Sequence, residues 1–138
     1  IMFSGTSAEV EACLKLMDGL DEAMVEARQM LASIHGEVMA VLANPRRPKP
    51  GMALGIMEVM GIGAGILAAD GLVKGSGVEL ANIHFAGGMA GKALVVCTGS
   101  VSQVESGLAY AQNVVGAGDV VHTALLASPH RKLLALWP

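Results

Sequence analysis

The chain has 138 residues, a formal net charge of −3, 53% apolar and 15% charged residues, and only 3% aromatics. That length makes one domain or a little more, able to bury roughly two thirds of its unfolded surface. Without a basic stripe or aromatics interleaved with Arg or Lys, it offers a nucleic-acid backbone nothing to hold; the uncharged run 59–69 is far short of the ~20 apolar residues of a membrane span, and no charged-then-apolar leader opens the chain.

In chain order, Ile1-Met2-Phe3-Ser4-Gly5 reads as a short apolar strand ending in Gly. Thr6-x-x-Glu9 then forms a capping box, in which hydroxyl and carboxylate satisfy orphan amides at a helix start. A stripe at helical spacing follows: Val10, Cys13, Leu14, Met17, Leu20 and Met24. The same order recurs later. Ile1 to Glu11 reads against Val95 to Glu105 at an offset of 94, with Ser100-x-x-Gln103 as the second box after Gly99. Its stripe is Val101, Val104, Leu108, Ala111 and Val115, and Ala32-Ser33-Ile34-His35 reads against Ala127-Ser128-Pro129-His130 at an offset of 95. Two copies of strand, capped helix, strand are therefore expected, and a first copy lacking about 50 leading residues. The start at Ile1-Met2 favours a sequence that begins partway through a tandem protein over a shortened variant.

Residues 45–51 hold Pro45-Arg46-Arg47-Pro48-Lys49-Pro50, three prolines and three cations in six residues. This reads as an exposed, stiff linker that enters neither sheet nor helix. It separates residues 1–44, the trailing half of a first domain, from residues 52–138, a complete one.

The complete copy reads as strand (53–59), helix (62–74), strand (78–85), strand (92–98), helix (101–115) and strand (119–126). This is an α+β, ferredoxin-like βαββαβ domain: an antiparallel sheet with both helices on one face. Ile62, Ile66, Ala69 and Val73 form the first helix's inward face. The terminal run 132–137 is apolar enough to pack back or to dock on a neighbour.

Two stretches mimic phosphate sites. After Gly61 and Gly63, a dinucleotide fingerprint needs a third Gly at 66, where Ile66 stands; Gly65 is one place early, and Glu79 opens a strand that a ribose-binding acid should close. These glycines suit a turn and close helix–sheet packing instead. Ala86-Gly87-Gly88-Met89-Ala90-Gly91-Lys92-Ala93 lacks both the first Gly and the magnesium-binding hydroxyl of a phosphate loop, and it leads into a strand rather than a helix. It reads as a small-residue hairpin loop that can line a narrow opening.

No catalytic constellation is present. His84 and His122 lie within strands with no Asp, Glu or Cys at ligand spacing, and there is neither a Gly-x-Ser-x-Gly elbow nor a carboxylate pair. His35 and His130, equivalent in the repeat, read as sharing a structural role at a strand end. Cys13 and Cys97 form no CxxC and read as buried small hydrophobes in a reducing compartment.

Ala53-Leu54-Gly55-Ile56-Met57-Glu58, Ala68-Ala69-Asp70-Gly71-Leu72-Val73-Lys74, Val78-Glu79-Leu80, the Gly87-Gly88 hairpin with Gly91-Lys92, the Gly99 turn and Ser128-Pro129-His130 together resemble a bacterial microcompartment shell protein. The resemblance covers 52–138 in order and the trailing half of the same domain at 1–43. The doubled domain is similar to the tandem class, including its propanediol-utilisation type, whose homotrimers imitate hexamers.

The resemblance implies flat, non-enzymatic tiles that pack with other shell proteins around encapsulated enzymes in the cytoplasm. It assigns pore lining to Ala86, Gly87, Gly88, Met89 and Ala90, and tile-edge contact to Lys74, Pro129 and His130. Ser128 stands where the family commonly has an Arg beside that Pro-His pair. Some tandem relatives carry an iron–sulfur cluster held by a Cys in the first domain's pore loop. Here that loop would precede Ile1 and the second loop has no Cys, so the residues present supply no cofactor site, and the resemblance leaves a cluster open only through that missing first-domain loop. The alternative for a βαββαβ order is a ferredoxin-like regulatory module that binds a small effector at a subunit interface.

Overall fold

The computed structural model describes residues 2–20, 23, 25, 28–85, 88 and 90–137. The chain divides into two compact units, Ile1–Ser33 and Ile34–Pro138.

In the first unit, α1 (Ser7–Leu16) starts at the expected box: Thr6 Oγ1 accepts the Glu9 amide, and Glu9 Oε2 accepts the Thr6 amide at 2.7 Å. A 3₁₀ turn, Met17–Gly19, follows, and Arg28 ties back to it through Asp18 at 2.9 Å and the Met17 carbonyl. No residue of α1 is buried, and Cys13 is exposed rather than buried. Neither 2–5 nor 28–32 forms a strand. The cause is missing pairing: a lone strand leaves its ladder groups unsatisfied, and residues 1–33 contain no counterpart of the central strand on which the second copy's strands pair. Met24 of the expected stripe lies outside the described residues.

The second unit begins with α2 (Gly36–Ala43) and continues with β1 (Ala53–Met60), α3 (Ile62–Ser76), β2 (Glu79–Phe85), β3 (Lys92–Gly99), α4 (Val101–Val115), β4 (Val120–Leu126) and a short α5 (Arg131–Leu134). The expected βαββαβ order is the observed one. All pairings are antiparallel in the order β2-β3-β1-β4. β1 and β3 are central, and their run of buried Leu54, Met57, Val59, Val95, Val96 and Cys97 explains why the sequence there hardly alternates.

α3 and α4 lie side by side on one face. Gly61 turns β1 into α3 with φ 89, a conformation that suits Gly. A Cβ on Gly65 would come within 2.5 Å of the Ala93 Cβ, so α3 lies close on β3. The two helices touch through small residues: a Cβ on Gly71 would sit 3.1 Å from the Ala111 Cα. Ile62, expected inward, is exposed because it lies in the first turn, beyond the sheet's cover.

Strand alternation points Gly55 towards Val104 and Leu108 of α4, so neighbouring Leu54 faces the other side of the sheet. There Leu134 of α5 packs on Leu54, Ala81 and Val96, with Leu133 and Trp137 beside it. The terminal run thus packs back, as one of its two expected uses.

The linker departs from expectation. Pro48 is buried, and the Arg46 amide donates to the Ala81 carbonyl at 2.7 Å. Ala81 is the extra residue of a bulge in β2, between Leu80↔Cys97 and Asn82↔Val96. Such a bulge interrupts the ladder, and here its carbonyl receives the passing linker.

Candidate functional site: the edge of α3 and the β2–β3 hairpin

The sequence puts an acid, Asp70, on the inward side of an Ala- and Gly-rich helix, where an unpaired carboxylate would cost several kcal/mol. The fold supplies two partners. Asp70 is 8% exposed; its Oδ2 takes the Lys74 ammonium at 2.6 Å, one helical turn on, and its Oδ1 accepts the His35 backbone amide at 2.7 Å. His35 is the N-cap of α2, its Nδ1 accepting the Glu37 amide at 3.2 Å. The segment that leads into α2 thereby meets the lysine end of α3. Val38 and Val41 of α2 are fully buried as the helix packs on β2 and α3.

The cations around this contact are paired. Arg46 Nη1 lies 2.9 Å from Glu37 Oε1, and Lys49 Nζ lies 2.7 Å from Glu79 Oε1. Two of the linker's three cations therefore bind the protein's own carboxylates, which argues against a phosphate patch. A cleft beside them is lined by His35, Glu37, Arg46, Val73, Gly77, Val78 and Glu79.

β2 and β3 form the expected hairpin, Phe85 opposite Ala93. Its foot is pinned by the Gly61 amide on the Gly91 carbonyl at 3.0 Å and by Lys92 on Glu58 at 3.1 Å. Within the loop, Gly88, Ala90 and Gly91 have positive φ (81, 52 and 81°), giving a tight turn of small residues. Ala86, Gly87 and Met89 lie outside the described residues.

His130 caps α5, its Nδ1 accepting the Lys132 amide at 3.2 Å, and it is exposed. The residue brought to the Asp70–Lys74 pair is its repeat counterpart, His35. Sequence reasoning passed over Asp70 as a junction; the available signal was an acid inside an apolar helix face, four residues before a Lys. The shared structural role of the two histidines is an N-cap.

Burial pushes the Cys97 thiol up to about 12, opposed by a weaker backbone hydrogen bond from Gly55, and the 86–91 loop has no Cys. Among the described residues no three His, Cys, Asp or Glu side chains converge on a metal position. No helix among them is long and apolar enough to cross a membrane.

Residues 53–129 match the sequence profile of the BMC domain. Over 134 residues, 96% of this chain and 73% of the relative, the sequence is 29% identical to the bacterial microcompartment shell protein PduT of Citrobacter freundii. It is 33% identical over 90 residues, 63% of this chain, to the carboxysome shell protein CcmK2 of Synechocystis, 85% of whose length is covered. A solved microcompartments protein from Desulfitobacterium hafniense superposes with a TM-score of 0.82 at 29% identity, covering 94% of this chain and 72% of that one.

Proposed function

Since the chain belongs to the BMC domain family and is a structural component of bacterial microcompartment shells rather than an enzyme, we propose that it is a pore-bearing tile of the tandem class. In this reading residues 1–44 are the trailing half of a first domain, 45–51 the connection and 52–138 the second domain. Three copies close into a pseudohexamer that packs edge to edge with other shell proteins around enclosed enzymes.

The observation that carries this reading is α2 seated on β2 and α3. A trailing helix of one domain copy covers an edge of the next, as a head-to-tail ring of domains requires. Lys74, held over Asp70 beside this junction and 39% exposed at its side chain, is the tile-edge group. The 86–90 hairpin loop lines the pore, where small side chains and backbone amides favour polar or anionic metabolites.

Electron microscopy of concentrated protein tests the tile: hexagonally packed sheets or tubes are expected. Soluble dimers alone, with an effector-dependent melting temperature, would overturn it in favour of the regulatory module. The pore is tested by flux of 1,2-diols and aldehydes through reconstituted protein; an unchanged flux after Gly88→Trp would remove the loop from the pore.

A further inference from the structure

A lysine carries its ammonium on a long, flexible stem, so a fixed Cα does not by itself fix the charge. At Lys74 the backbone is fixed. A Cβ on Gly75 would come within 2.6 Å of the Tyr110 Cβ, and one on Gly107 within 2.5 Å of Ser76 Oγ, so the last turn of α3 lies hard against α4. Gln103 Nε2 donates to the Ser76 carbonyl at 3.4 Å, and Gly77 ends the helix in the left-handed conformation with its amide on the Val73 carbonyl at 2.8 Å. What remains to be set is the direction of the side chain.

Asp70 sets it, and Asp70 is itself held by the chain ahead of α2. The two oxygens of a carboxylate share one plane with its carbon, so a bond that fixes one fixes where the other points. Oδ1 accepts the His35 amide at 2.7 Å, and Oδ2 lies 2.6 Å from Lys74 Nζ. An acid four residues before a Lys is the favourable order on a helix, but such a pair is weak when both groups are exposed. Here the acid is buried and doubly bound, while the Lys74 side chain stays partly exposed and available at the surface. The His35 amide is placed in turn by α2, whose Val38 and Val41 are fully buried where it packs on β2 and α3.

We propose that Asp70 is a positioning residue for the edge lysine, and that the backbone amide of His35 acts on Lys74 through it, so that seating α2 aims the ammonium at the neighbouring tile. This rests on the tile reading above. Its consequence is regulatory: the edge of this domain is competent to pack only when the segment before it in the chain is seated. The imidazole of His35 has no part in this, because it is engaged with the Glu37 amide.

Four variants of the full chain separate the parts: Lys74→Ala, Asp70→Asn, His35→Pro and His35→Ala. Asn keeps an oxygen for the His35 amide and turns a donor towards the ammonium. Pro suits φ −62 at residue 35 and removes the amide, whereas Ala removes only the imidazole cap. Lys74 is labelled with an amine-acylating reagent and read by peptide mass spectrometry, with Lys132 as internal control; the protein concentration at which sheets appear is read by electron microscopy. Asp70→Asn and His35→Pro are expected to label Lys74 about twofold to fivefold faster, the size of a partly exposed ion pair. They are expected to raise the sheet threshold by at least that factor, while His35→Ala matches the wild type. Coupling is reciprocal, so Lys74→Ala is expected to speed hydrogen exchange at the His35 amide by a similar factor; that measurement stands even if His35→Pro does not fold. Labelling and exchange that both stay at wild-type rates overturn the positioning role. Sheets lost in Lys74→Ala but kept at the wild-type threshold in Asp70→Asn overturn it too, and leave the tile reading standing. Sheets formed by Lys74→Ala as readily as by the wild type remove Lys74 from the edge and the proposal with it. A wild type that forms no sheets overturns the tile reading itself.

Discussion

Asp70 accepts the backbone amide of His35, 35 residues before it in the chain, at 2.7 Å, while its second oxygen holds Lys74. One buried carboxylate thus ties the start of α2 to the exposed lysine.

Removing that carboxylate leaves a part-buried amide without its acceptor and takes one ion-pair partner from Lys74. Asp70→Ala is expected to cost about 2 kcal/mol. Lys74→Ala, which removes a partly exposed ion pair but leaves the amide bond in place, is expected to cost about 1 kcal/mol or less. Urea denaturation of the two variants checks the order; equal losses would mean that the His35 bond contributes nothing.

Gly75 sits in the last turn of α3, where Ala would ordinarily add up to about 1 kcal/mol. Here its Cβ would lie 2.6 Å from the Cβ of Tyr110, an atom that no side-chain rotation moves away. Gly75→Ala is therefore expected to destabilise by about 1–3 kcal/mol, read as a lowered melting temperature. A raised one would show that α3 and α4 can separate at no cost.

The two cysteines should differ sharply in reactivity, because the thiolate is the nucleophile. Cys97 is buried with its thiol pushed up to about 12, whereas Cys13 is exposed on α1. Under native conditions a thiol reagent is expected to modify Cys13 first and Cys97 only on unfolding. Labelling of both at the same rate, resolved by peptide mass spectrometry, would contradict the burial of Cys97.

Hydrogen bonds from the Thr6 amide and hydroxyl hold the Glu9 carboxyl below its ordinary 4.5. A depressed folded value contributes stability above the unfolded value, and that contribution is lost as pH falls through the folded one. The start of α1 should therefore loosen only in acid below 4.5. In Glu9→Gln, which copies the neutral Ser100/Gln103 box of α4, the Thr6 amide should lose this pH dependence. An NMR titration following the Thr6 amide decides it, and an unchanged titration in the variant would assign the transition to another group.

Much of the fold was legible because its signals are local. Thr6-x-x-Glu9 and Ser100-x-x-Gln103 mark helix starts through bonds spanning three residues, and the element limits of the complete domain fell within about two residues of those observed. The hairpin between Phe85 and Lys92 was legible for the same reason. Lys74 was legible as an edge residue only through a family resemblance, and the bond from the His35 amide to Asp70 spans 35 residues, which no local pattern shows.

By itself, then, the sequence determined the order of strands and helices, their caps, the tight turn at Gly61 and the internal repeat, all of which depend on residues a few positions apart. Only the tertiary structure decided which residues meet across the chain: Asp70 with His35, the Ala81 carbonyl with Arg46, and Leu134 with Leu54. It also decided that 2–5 is no strand, because strand formation depends on ladder partners, which local pattern does not supply. The same physics separates Val41 from Leu136. Both are apolar at equivalent points of one repeated helix, and one is buried while the other is exposed because only the first has a neighbouring edge to cover it.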